Sequence, residues 1–139
     1  MLHGTLAVLV TFTLLSGSCD FTTQESDRQV QALRQLSKET AIYPAFEKGD
    51  CEEQSKSTGA VVSCYYKSSA SFDDVKTFYT DEFRKKGWGV PEERRFHRIF
   101  GAESRQLIFY KGDYRINIDH ETDRSYDWDY SVAFVWEKK

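Results

Sequence analysis

Three histidines, His3, His97 and His120, are the first residues in this chain that could carry acid–base or metal chemistry. His3 lies in the N-terminal segment. His97 sits inside Arg94-Arg95-Phe96-His97-Arg98, a basic run that builds no ligand set. His120 is better placed, beside Asp119, Glu121 and Asp123 at the end of an alternating segment. A histidine with carboxylates could take a divalent cation, but the HxH and HExxH spacings are absent. The acidic run Asp119, Glu121, Asp123, Asp127, Asp129 fails as a calcium loop. Counted from Asp119, the positions that need Gly and Glu hold Arg124 and Tyr130. No GxSxG or SxxK motif poises a serine, and the scattered glycines form no phosphate-cradling loop. Glu82 or Glu103 could meet Asp119 as a carboxylate pair, the arrangement of a small hydrolase. Nothing in the spacing selects them. The sequence therefore assigns no catalytic residue, no metal and no cofactor, and a non-enzymatic protein is expected.

The cysteines are more informative. Cys19, Cys51 and Cys64 make an odd count, whereas an exported chain normally pairs its thiols. The apolar run Leu6 to Leu15 suits a signal-peptide core and is shorter than the roughly 20 residues that span a bilayer. No Lys or Arg precedes it. Small residues at Ser16 and Ser18 fit ordinary signal peptidase, which would release a secreted or periplasmic soluble protein. The alternative is that Leu15-Ser16-Gly17-Ser18-Cys19 resembles a bacterial lipobox, departing from it at Ser16, where leucine is usual. The resemblance implies that Cys19 is acylated, palmitate included, and becomes the first mature residue. Asp20 then resembles the inner-membrane retention signal of enteric lipoproteins. If Cys19 carries lipid, Cys51 and Cys64 remain as one pair, and closing that loop contributes about 3 kcal/mol in the chain-entropy model.

Composition agrees with this division. All 22 acidic and 19 basic residues lie after Ser18, as do the aromatics apart from Phe12. Residues 1–18 read as a signal peptide, 19–27 as a tether and 28–139 as one globular domain. The net charge of −3 gives no reason to expect nucleic acid.

Local patterns outline the domain. Val30, Leu33 and Leu36 form a thin stripe on an N-terminal helix over 26–38. Pro44 and Gly49-Asp50 leave Ala41 to Glu47 as at most a short edge strand, followed by a polar loop. Ala60 to Lys67 alternates as a strand, with Val62, Cys64 and Tyr66 on one face. The main helix spans 72–86. Ser71 and Asp74 form a capping box, Val75, Phe78, Tyr79 and Phe83 an aromatic stripe, and Gly87 a cap that returns Trp88 to the core. Arg95 to Phe100 is a weak strand. Gln106 to Tyr110 and Tyr114 to His120 form a hairpin about Gly112-Asp113. A last strand turns Tyr130, Val132, Phe134 and Trp136 inward. The expected class is α+β: an antiparallel sheet of four to five strands with the main helix packed on one face.

Phe72-x-x-Val75-x-x-Phe78-Tyr79-x-x-x-Phe83-x-x-x-Gly87-Trp88 resembles a pattern of small exported bacterial proteins, many of them lipoproteins. The resemblance implies export and the same fold and carries over no catalytic residue. Arg94, Arg95 and Arg98 are expected to face a partner, either anionic headgroups or an acidic protein. Trp128, set between Asp127 and Asp129, is a candidate recognition residue if it reaches solvent. The expected function is a membrane-anchored binding module of the cell envelope, held through Cys19 and meeting an envelope protein. An exported inhibitor or immunity-type protein and a small carboxylate hydrolase near His120 are the alternatives.

Overall fold

The segment from Phe72 becomes helical because both its ends are specified locally. Ser71 Oγ accepts the Asp74 N–H at 3.2 Å, and Asp73 and Asp74 lie at the positive end of the helix dipole. At the other end the Trp88 and Gly87 N–H groups bond back to Phe83 and Arg84, with Gly87 at φ +83°. The computed structural model describes residues 18–97 and 101–139. Its elements are α1 (Ser18–Glu39), β1 (Glu47–Lys56), β2 (Gly59–Lys67), α2 (Phe72–Lys85), β3 (Glu92–His97), β4 (Glu103–Lys111), β5 (Tyr114–Glu121) and β6 (Tyr130–Glu137).

All six strands pair antiparallel in the order β1-β2-β6-β5-β4-β3. Two strands thus exceed or differ from expectation. β1 is a full strand, where only Ala41 to Glu47 was expected to be extended. It carries no apolar alternation, and every one of its residues is exposed. Its pairing is fixed instead by the tight turn between Lys56 and Gly59 and by the bond between Cys51 and Cys64, which stand opposite each other in register. Residues 41–46 form a turn, closed by the Phe46 N–H on the Tyr43 carbonyl. β3 begins earlier than the expected Arg95, at Glu92, and residues 98–100 of the expected strand lie outside the described residues.

Both helices pack on one face. α1 covers β1, β2 and β6, and α2 lies over β4. Beneath them β2 contributes Val62, Cys64 and Tyr66, β5 Ile116 and Ile118, β4 Leu107 and Phe109, and β6 Tyr130, Val132, Phe134 and Trp136. α2 adds Phe72, Val75, Tyr79 and Phe83. Each such side chain is worth roughly 1.5–3 kcal/mol when fully buried.

α1 begins at Ser18, so the stretch expected as a tether, 19–27, is largely helical. Polar residues anchor it. Ser26 is buried and donates to the Lys56 carbonyl. Arg34 holds Glu53 through two bonds of 2.7 Å, and Ser55 Oγ donates to Asp27 at 3.0 Å. Among the described residues, no helix is long and apolar enough to cross a membrane.

Candidate functional site on the open face of the sheet

Strand alternation sends every second residue to the face without helices. There β2 places Val61, Ser63 and Tyr65, β5 places Arg115, Asn117 and Asp119, and β6 places Ser131, Ala133 and Val135. The surface is polar toward the middle. Gln106 donates to Asp119 at 2.7 Å, and Ser131 does so at 3.3 Å. Burial pushes the Asp119 carboxyl above its ordinary range despite these bonds. Arg115 Nη2 meets Glu137 at 2.8 Å.

Near the loop that joins β5 to β6, this face becomes aromatic. Trp128 folds back so that its ring lies 5.3 Å from Tyr65 and 5.3 Å from Tyr126. Trp128 is half-buried, and Tyr126 is 41% exposed. A cleft of ≈ 470 Å³ opens beside them, walled by Asp50, Glu52 and Asp127. Its outer wall exists because β1 bulges between Lys48 and Cys51. Gly49 is required there, since a Cβ would collide with the Tyr65 carbonyl oxygen. Tyr65 Oη donates to Glu52 at 3.3 Å. Burial, reinforced by the negative charge of Glu52, raises the Tyr65 phenol above its usual value.

The expected site residues fall in different places. Trp128 stands over β2. Arg94 and Arg95 lie on β3 at the far edge, roughly 19 Å away for four interstrand spacings. Both arginines already have acidic neighbours. Arg94 Nε bonds Glu92 at 2.7 Å, and Arg95 lies 3.7 Å from Glu93. Arg98 and the side chain of Cys19 lie outside the described residues. The disulfide between Cys51 and Cys64 is present.

His120 does not share a site with Asp119, because adjacent strand residues face opposite ways. Its ring is stacked between Phe72 at 6.0 Å and Tyr130 at 4.4 Å under α2, and burial lowers its pKa. Arg105 closes the same row, 4.0 Å above the Phe72 ring and 2.6 Å from Glu93. Glu82 pairs with Lys85 on α2. Neither it nor His120 joins Asp119.

Trp128 is legible in the sequence as a recognition residue; the cleft beside it is not. The available signals were Tyr65, which alternation sends to the face opposite Cys64, and the Gly49-Asp50 pair within a charged stretch.

Helices stacked on one side of a single antiparallel sheet define the class. More specifically, a START domain-like family model matches residues 51–124, more than half of the chain, and the chain belongs to that family. The match runs from mid-β1 into the loop after β5, so α1 and β6 lie outside it. No curated protein and no solved structure matches the chain.

Proposed function

We propose that this protein is an exported lipoprotein of the bacterial cell envelope, anchored through Cys19, whose domain works by binding an envelope protein without catalysing a reaction. Export is supported by the uncharged segment ending at Ser18, by the likeness of Leu15 to Cys19 to a lipobox and by the exported-protein pattern along α2. The Cys51–Cys64 bond suits an oxidising compartment. The observation that carries the binding reading is the half-buried Trp128, held on the helix-free face with an open cleft beside it. Large aromatics of this kind are the usual anchors of interfaces. Arg94 and Arg95 on the opposite edge provide a subsidiary, electrostatic contact region, to which the sequence adds Arg98.

Two measurements test this. Mass spectrometry of membrane fractions should find Cys19 acylated, and an unmodified Cys19 in the soluble fraction would remove the anchor. A photo-crosslinking residue placed at Trp128 should capture a discrete protein in intact cells, while one at Gln31 on exposed α1 should not. Capture from Gln31 alone would transfer the binding role to the helical face. The exposed Tyr126 supports a second reading, an inhibitor or immunity-type protein that inserts the β5–β6 loop into a partner's site. Loss of a partner enzyme's activity on addition of the domain would select it.

A further inference from the structure

The cleft beside Trp128 has a chemistry that narrows what can bind it. Tyr65, Trp128 and Tyr126 form an aromatic shelf of tilted rings, each centroid 5.3 Å from the next and neighbouring planes 46° and 50° apart. Aromatic faces carry negative potential and attract cations. The surrounding acidic side chains are Glu47, Asp50, Glu52 and Asp127, against the two lysines Lys48 and Lys67. The mouth of the cleft is therefore acidic, and its field favours a positive group. Glu52 touches the shelf directly through the Tyr65 hydroxyl. A carboxylate at the rim of a ring surface matches one side chain best. A planar guanidinium can lie flat on an aromatic ring while its N–H fork reaches a carboxylate, which a compact ammonium cannot do.

We infer that the Tyr65–Trp128–Tyr126 cleft is a binding site for a guanidinium group, stacked on the aromatic shelf and held by Glu52 and Asp127. This rests on the binding reading above and specifies its ligand. The guanidinium can come from an arginine displayed by a protein partner or from a small free molecule.

Titration of the isotope-labelled domain by NMR separates these sources. The probes are agmatine, the capped peptides Gly-Gly-Arg-Gly-Gly and Gly-Gly-Lys-Gly-Gly, and the same peptide with uncharged citrulline. Saturable shifts at Tyr65 and Trp128 are expected with agmatine and the arginine peptide. The lysine peptide should bind more weakly, and the citrulline peptide should give no saturable shift. Tighter binding of the peptide than of agmatine points to a protein arginine, and the reverse to a free guanidinium compound. Glu52→Gln and Trp128→Leu should each weaken binding by roughly fivefold. Retained amide dispersion in both variants would show that they fold. Equal shifts from arginine and citrulline, or shifts that map away from the cleft, overturn the inference. In that event, continued crosslinking from Trp128 would leave the binding reading standing. Loss of both would end the two together.

Discussion

The two faces of the sheet come from the same strands, residue by alternate residue, yet they do different work. Under the helices, Leu33, Val75, Leu107, Phe109, Ile116, Ile118 and Tyr130 have essentially no exposed surface. On the other face, Arg115, Asn117, Asp119 and Tyr65 stay partly exposed, and their contacts are mostly polar. The covered face supplies stability because apolar area is removed from water there. The open face contributes less to folding and is free to hold acidic and aromatic groups in one place. A surface of this kind does not compete with the core for residues.

The largest expected effect is in the core. Phe83 packs 4.8 Å from Phe109 and 5.4 Å from Tyr79 and is almost wholly buried. Phe83→Ala should cost about 3–5 kcal/mol in urea unfolding. A cost below about 1 kcal/mol would mean that α2 is not the main seal. Next comes the link that holds the acidic edge to the sheet. The Cys51→Ser, Cys64→Ser double variant should lose about 3 kcal/mol, because the bond closes a loop across a sequence separation of 13. It should also loosen the wall of the cleft, read as faster amide exchange in β1.

Acidity should act on the covered face in two separate ranges. Burial depresses the His120 pKa from 6.5, so below that value the unfolded chain holds more protons than the folded one. Stability therefore falls as pH drops through this region. His120→Phe should abolish that dependence. The Lys76 and Arg105 hydrogen bonds hold the Glu93 pKa at about 2 against 4.5. Its stabilisation is complete above pH 4.5 and is lost on going down to about pH 2. Glu93→Gln should flatten only that lower limb of the unfolding midpoint against pH.

The smallest effect belongs to the open face. Trp128→Ala should change stability by less than about 1 kcal/mol, while weakening binding to the cleft. A loss comparable with that of Phe83→Ala would make Trp128 part of a second core and erase the contrast between the faces.

What could be read from the chain follows the same contrast. α2 was legible because Ser71, Asp74 and Gly87 specify its ends within a few residues, and Val75, Tyr79 and Phe83 mark its buried stripe. β2, β5 and β6 were legible because alternate residues are apolar. β1 was not, since a strand with all residues exposed has no such period. Its place depends on Cys51 meeting Cys64 and on Arg34 meeting Glu53. The start of α1 was hidden likewise, because its contact with the sheet there is made by Ser26. For the site, Trp128 was visible as an aromatic between carboxylates. Its companions Tyr65, Gly49 and Glu52 belong to other strands, and only register brings them together.

The docking of Ser26 on the Lys56 carbonyl fixes more than the path of α1. Helix continues from there back to Ser18, so a lipid on Cys19 would be joined to the sheet by about 10 Å of helix. The domain would then ride on a stalk, with the β1–β2 turn nearest the bilayer. The loop bearing Trp128 sits toward the other end of the strands, roughly 20 Å further out for the six residue steps of β2 from Gly59 to Tyr65. Such a molecule would meet partners at a set height above the membrane, and would pass over those whose arginines lie flush with the lipid surface.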